Sequence, residues 1–318
     1  VNNQLSRDDN RINRLSSFLY VEGNLLAKKL YSIKQNVYFL EASTGECYIL
    51  KGHLDAANMK QQWDFFEAIR SPVIVPFVRF PNGKKEISIG TNYYWTISPY
   101  IPGRKLSYQI EEDRERAVRA VKQFHHHASG IYLHNTLKKP LFYKRWQSRL
   151  YKLKETEAIF HQYGYSTLFD DILLTMKESI EIVSGFPWYQ DQLEAEQKGM
   201  WVHGDVASHN FIQNERSFII DFDLLHCTTP LYDYIQLGQR FLPTIDWDVE
   251  QLLAYDMIDD EKLEQFLYSV FIPSDLVREW LHFLSKRGLT SVESYLQTME
   301  MEWIQRKKFL TNSKIMVK

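Results

Sequence analysis

Cysteine is nearly absent from this chain: only Cys47 and Cys227 occur among 318 residues. Two thiols without Cys-x-x-Cys spacing exclude a disulfide framework and suit a reducing compartment, so both read as core thiols. Long apolar runs are missing as well. No stretch approaches the roughly 18 apolar residues of a membrane span, and the opening VNNQLSRDDNRINRL is polar with both signs of charge, so no signal peptide is expected either. The expected location is cytoplasmic. An excess of one charge is the third absence. Lys and Arg total 38 against 40 Asp and Glu, a formal net charge of -2, which argues against a dedicated nucleic-acid binder.

What is present is ordinary globular material, 44% hydrophobic and 25% charged, in a chain longer than one core usually supports. Two lobes are therefore expected. The one weak break is SPYIPGRKL, residues 98–106, with two prolines and a glycine. Before it lie short strand-like runs, NVYFLEAS, GECYILK, VIVPFVRF, KEISIG and YYWTISPY, separated by turn signals such as STG and PNG. A helix over 54–70 interrupts them, with Met59, Trp63, Phe66 and Arg70 at helical spacing. After Gly103 the texture turns helical. EEDRERAVRAVKQFHHHAS carries one apolar stripe, residues 262–271 repeat it, and a further helix follows a Ser274 cap. The expectation is an α+β protein: a small sheet lobe over 1–100, a larger helical lobe over 101–318, and a cleft between them.

The stretch WVHGDVASHN, residues 201–210, places Asp205 and Asn210 on a loop after a brief apolar run. Residues 211–221, FIQ and SFIID around the turn NERS, read as a β-hairpin ending on Asp221. Two acids and a carboxamide gathered there are costly unless a cation sits among them. Magnesium suits that role, since it takes carboxylate, phosphate and water oxygens. Asp221 and Asn210 would supply protein oxygens, leaving Asp205 to face a hydroxyl. The Asp-x-x-x-x-Asn spacing is that of kinase catalytic loops.

HGDVASHN followed by IIDFD resembles the motifs of the aminoglycoside phosphotransferase and choline kinase superfamily, enzymes with a two-lobed protein-kinase-like fold that phosphorylate small molecules. PYIPGR as connector, KQFHHHASG on a helix and PLYDY after the metal motif extend the resemblance over residues 36–240. The wording HGDVASHNFI, IDFDL and PLYDYIQ is closest to spore-coat-associated kinase-like proteins of endospore-forming bacteria. The resemblance implies ATP and Mg²⁺ as cofactors and a small-molecule hydroxyl acceptor, with Asp205 as base or hydroxyl-orienting group. It further implies Asn210 as a metal ligand, Asp221 as the principal magnesium ligand, Asp223 as a second acid touching metal or bracing the loop, and His203 and Asp233 as loop supports. Spore-coat proteins would be partners, and the spore coat a location, on the narrower placement.

In GECYILK, alternation puts Cys47, Ile49 and Lys51 on one strand face, making Lys51 the phosphate-binding candidate. In related enzymes this lysine pairs with a helix glutamate, and Glu67 is the expected partner. Two departures stand out: LYSIKQNVYF, between the first two strands, has no glycine for close phosphate approach, and His209 precedes Asn210 where relatives often have a small residue.

Blander readings exist for each residue. A loop Asp is often a turn or cap residue, Lys51 a solvated strand end, Glu67 an exposed helix acid. His125, His126 and His127 cannot converge on a metal from successive helix positions, so one buried and two exposed histidines are expected. Trp146, Trp188 and Trp201 are core residues unless they form an acceptor platform. The basic end QRKKFLTNSKIMVK reads as a solvated helix terminus. A binuclear phosphoesterase lacks its Asp-x-His and Gly-Asn-His, and a zinc site from His203, Asp205 and His209 is a rival. A weakly active or inactive kinase-like scaffold is the alternative function. The sequence does not name the acceptor or choose between ATP and GTP.

Overall fold

The polar opening segment folds as α1 (Asn2–Gly23), an element not expected from its composition, and lays Leu15 and Leu19 onto the core of a sheet. The computed structural model describes residues 2–286 and 291–316, with side chains only from 12 to 307. The first eleven side chains and the basic end beyond Lys307 lie outside that description.

Strands β1 (Ala27–Lys34), β2 (Val37–Ala42), β3 (Cys47–His53), β4 (Ile87–Ile89) and β5 (Tyr93–Pro99) form an antiparallel sheet in the order β1-β2-β3-β5-β4. Leu40, Leu50, Trp95 and Ile97 point to its covered face. The run VIVPFVRF, expected as a strand, makes only isolated bridges, Ile74 with Ile219 and Val78 with Ile97. Pro76 in its middle has no N–H to give a ladder, which explains the break. Between β3 and β4 stands α2 (Ala56–Ala68), shorter at both ends than expected, with the Asp55 carboxylate capping Asn58 N at 2.9 Å.

The connector carries β6 (Arg104–Lys105), and Arg104 grips the buried carboxylate of Asp113, at the start of α3 (Glu111–His127), through bonds of 2.5 and 2.7 Å. Then come α4 (Phe142–Lys154), α5 (Glu157–Gln162), α6 (Ser166–Ser184) and α7 (Trp188–Gln197). β7 (Trp201–Val202) precedes the 203–210 loop, and β8 (Phe211–Gln213) with β9 (Ser217–Ile219) forms the expected hairpin, joined by β6 along its edge. β10 (His226–Cys227) pairs with β7. The rest is helical: α8 (Leu231–Phe241), α9 (Val249–Leu253), α10 (Asp260–Phe271), α11 (Ser274–Ser285) and α12 (Val292–Met316).

Ser274 does not cap α11. Its hydroxyl instead accepts from Arg149 Nη1 at 2.6 Å, and Pro273 occupies the cap position. Trp146, Trp188 and Trp201 are all buried in the larger core, so none stands free as an acceptor platform. His125 is buried and His126 exposed, as expected from the helix phase. The two cysteines are half-buried, and burial pushes the Cys227 thiol up to about 11, away from reactivity. Among the described residues no helix is long and apolar enough to cross a membrane.

Candidate active site

Two lobes, an antiparallel sheet and a helical body, meet along the 203–225 segment, and the site is built there from backbone outward. Asp233, fully buried near the start of α8, accepts from His203 N at 2.8 Å, Gly204 N at 2.9 Å and His125 Nε2 at 2.9 Å. Burial works to raise its carboxyl, but the His125 hydrogen bond and charge, then His203 and the Gly204 N–H, hold it below the ordinary range. The His203 ring is spent at both nitrogens: Nε2 lies 3.0 Å from Ile220 O, and Nδ1 accepts from Asp205 N at 3.2 Å. That pattern assigns the proton to Nε2. It also removes His203 from any zinc site. Gly204 adopts φ +83°, and a Cβ there would lie 2.4 Å from Leu224 O, so only glycine lets this loop touch the 221–225 segment.

Asp205 emerges from that scaffold half-buried. Its Oδ1 receives Arg240 Nη2 at 2.8 Å, and its Oδ2 and backbone O receive the Asn210 amide at 3.2 and 2.9 Å. With its nitrogen so committed, Asn210 has only its amide oxygen left to offer. Arg240 went unnoticed in sequence, although it lies two helical turns beyond Asp233 on α8 and hence on the same face.

Across the cleft, Asp221 sits just past β9 with φ +67°, a left-handed conformation uncommon for a residue with a Cβ. Lys51 Nζ from β3 lies 2.5 Å from Asp221 Oδ1 and 2.7 Å from Asp223 Oδ2, and Lys34 of β1 adds a longer contact of 3.4 Å. Burial alone would raise the Asp221 carboxyl and lower the Lys51 ammonium. Their mutual attraction overrides it, holding Asp221 low and Lys51 high, with Asp223 and Lys34 adding to the effect.

The expected Lys51–Glu67 pair is not formed. Glu67 faces outward, paired with Arg79 at 3.0 Å and Lys85 at 2.7 Å. The face of α2 turned to the cleft carries amides instead. Asn58 Nδ2 donates to Asp223 O at 2.8 Å and Gln61 Nε2 to Leu225 O at 3.1 Å, while Gln62 lines the pocket with its buried Nε2 unpartnered. The α2 phase is set by burying Met59, Trp63 and Phe66, which leaves Glu67 on the far side.

A pocket of about 250 Å³ opens between the lobes, with Lys34, Lys51, Gln62, Asn210 and Asp221 on its polar side. Val37, Ile49 and Phe222 are among its apolar walls. The β1–β2 turn above it is only Gln35–Asn36, with Asn36 taking φ +61° where glycine is usual. Lys34, beside that turn, was also missed from sequence; it puts a second ammonium on the pocket wall, 3.4 Å from Asp221. His209 borders the pocket as well, and partial burial keeps its imidazole below the ordinary value. No group of three or more His, Cys, Asp or Glu gathers for a metal among the described residues. The side chains with oxygen donors to offer a hard cation in the pocket are Asp221 and Asn210, with His209 at its border. That all-oxygen pair fits Mg²⁺, whose other ligands come from phosphates and water, whereas among the described residues His209 stands without the further His, Cys, Asp or Glu that a zinc site gathers.

The model of the phosphotransferase enzyme family matches residues 33–266. No curated protein sequence matches the chain. Among solved structures, an aminoglycoside phosphotransferase from Alicyclobacillus acidocaldarius superposes with TM-score 0.69 at 16% identity, covering 92% of each chain. An amicoumacin kinase bound to AMP-PNP and Ca²⁺ gives 0.66 at 15% identity, covering 93% of this chain and 92% of its own. A spectinomycin phosphotransferase in complex with ADP and spectinomycin gives 0.60 at 14%, covering 91% and 94%. At these identities the likeness speaks to the fold, which is the two-lobed kinase-like one.

Proposed function

The chain belongs to the phosphotransferase enzyme family, and from that premise we propose that it moves the γ-phosphoryl group of ATP onto a hydroxyl of a small molecule. The observation that carries the reading is the convergence of Asn210, Asp221 and Lys51 on one cleft from both lobes, with Asp205 held against Asn210 at 3.2 Å. Asp205 orients the acceptor hydroxyl and takes its proton; Arg240 and the Asn210 amide fix which way its two oxygens face. Lys51, already poised between Asp221 and Asp223, turns to the phosphates when nucleotide enters. Asp221 and Asn210 would hold Mg²⁺, which when bound supplies charge neutralisation on those phosphates. Asp223 and Asp233 brace the two loops, and His203 ties one to the other. Catalysis of this kind is chiefly positioning and electrostatics. ATP as the donor is supported by the adenine nucleotides bound in the amicoumacin and spectinomycin enzymes; a kanamycin-bound relative holds GDP.

The division of labour follows the chain, with residues 1–100 as the nucleotide-binding lobe and 101–318 as the helical lobe that carries the catalytic loop and the acceptor pocket. A second reading, a catalytically weak kinase-like scaffold of the spore coat, draws support from the glycine-free β1–β2 turn and the wording HGDVASHNFI. Calorimetric titration of ATP with and without Mg²⁺, on wild type and Asp221→Ala, separates the two. Metal-dependent binding that the substitution removes supports the enzyme. Absence of binding by folded wild-type protein leaves the scaffold.

A further inference from the structure

The helical lobe carries a row of arginines that leads away from Asp205, and apart from Arg240, which holds Asp205, the phosphoryl machinery does not use them. Arg145 and Arg149 lie one turn apart on α4, so both face the same way, and α4 packs on α11. Arg149 meets α11 at Ser274, through the hydroxyl at 2.6 Å. Arg278 lies one turn further along α11, and Arg240 on α8 closes the row at Asp205. All four are partly buried. Lys139 stands at the other end, bonded to the backbone oxygens of Leu224 and Leu225 next to the metal-loop acid Asp223. The row therefore runs between Arg240 at Asp205 and Lys139 at the Leu224–Leu225 backbone, with Arg278, Arg149 and Arg145 as successive neighbours between them.

Carboxylates to match these cations are scarce. Arg240 has Asp205 and Arg278 has the exposed Glu279. Asp275, the acid nearest the start of α11, is taken by both terminal nitrogens of Arg306 at 2.9 and 2.7 Å. Among the described residues no carboxylate lies within ion-pair distance of Arg145 or Arg149; Arg145 only overlies the Phe142 ring at 5.7 Å. Partly buried guanidinium groups crowding one another without anions are an unfavourable arrangement for the empty protein. Burial first, then Arg278 and Arg145, brings Arg149 down to about 10, which reports the same crowding. Planar guanidinium forks match carboxylate and phosphate oxygens.

We infer that the acceptor is an alcohol bearing an oxyanion, a carboxylate or a phosphate ester, seated on Arg145 and Arg149 with its hydroxyl turned to Asp205. The inference rests on the phosphotransferase reading above and adds the acceptor's class. The reaction is unchanged by it: the bond from acceptor oxygen to phosphorus forms, the terminal phosphoanhydride bond breaks, ADP leaves, and the hydroxyl proton passes to Asp205. A polycationic acceptor is disfavoured by the same row, because like charges would meet.

The test is calorimetry on protein saturated with AMP-PNP and Mg²⁺, and in parallel without nucleotide. Glucose 6-phosphate, gluconate, glucose and kanamycin are titrated into wild type, Arg145→Ala/Arg149→Ala, and the charge-keeping Arg145→Lys/Arg149→Lys. Expected is an anion, phosphate or carboxylate, bound by wild type at least about tenfold more tightly than glucose or kanamycin, and weakened about tenfold or more by the alanine pair. The lysine pair recovers part of that loss, and AMP-PNP affinity stays within about twofold in both. Equal affinity for glucose or kanamycin, no anion bound, or anion affinity untouched by the alanine pair overturns the inference. Loss of AMP-PNP affinity in the alanine pair also overturns it, by giving the row to the nucleotide. Failure of wild type to bind AMP-PNP sinks the phosphotransferase reading instead, and the nucleotide-free titrations still read the anion site.

Discussion

Asp233 is a single carboxylate on which the geometry of the whole 203–205 backbone depends, since it receives two consecutive N–H groups and the His125 ring. Asp233→Asn keeps the shape and removes the charge, leaving an amide N–H facing donors. The expected loss is about 2–4 kcal/mol of stability near neutral pH, read by urea denaturation. The pH dependence has a definite sign. The folded carboxyl lies below its ordinary value, so its contribution is complete above the unfolded value of about 4 and is lost as pH falls through the folded one. The gap between wild type and variant should therefore narrow on acidification from about pH 6 to about pH 3. A gap independent of pH would mean that the carboxylate charge is not what holds the loop. At this scale the sequence was informative where chemistry is local. Asp205 and Asn210 share one loop, and Asp221 ends the adjoining hairpin, so their spacing carried their proximity. Arg240 reaches Asp205 only through the packing of α8, and nothing in the loop's own residues points to it.

At the scale of elements, the proposed nucleotide site has to hold phosphate beneath a β1–β2 turn that has no glycine. Asn36 takes the left-handed position, and the turn is too short to wrap a triphosphate with backbone N–H groups. On that proposal Lys34 would answer with a side chain, since it lies within 3.4 Å of Asp221 and lines the pocket. Lys34→Ala should weaken AMP-PNP by about three- to tenfold, with the effect shrinking as salt is raised because this lysine is largely exposed. Adenosine, which has no phosphates, should bind both proteins alike in the same titration; an equal loss for adenosine would assign Lys34 to the fold. The helix α2 shows why Glu67 was misplaced. Counting from Lys51 finds a glutamate in the right helix, but the helix phase is fixed by what it buries, and that turns Gln62 inward and Glu67 out. The failed strand over 73–80 has an equally local cause in Pro76, visible in sequence but outvoted by its β-branched neighbours. Helix α1 was missed because its polar residues conceal the few, Leu15 and Leu19 among them, that it buries.

On the scale of the molecule, the two lobes are tied by more than the connector. Val75 N donates to Ile219 O at 3.1 Å and Ile219 N to Val73 O at 2.6 Å, so the Pro-interrupted segment is sewn to the β8–β9 hairpin. Gln61 adds a second tie that uses both ends of one amide, giving Nε2 to Leu225 O at 3.1 Å and accepting Leu137 N at 2.7 Å. Phe65 and Phe66, on the same small-lobe helix, belong to the large lobe's core. Such ties are expected to hold the cleft near one width with and without nucleotide. Wild type should therefore show the same radius of gyration by X-ray scattering with and without AMP-PNP and Mg²⁺. Gln61→Leu retains bulk but strands a carbonyl and an N–H, at a cost of about 2–4 kcal/mol. It should widen the nucleotide-free form and restore compaction on binding. Compaction of the wild type by nucleotide would instead show that the lobes swing freely, and that the interlobe bonds follow closure rather than impose it.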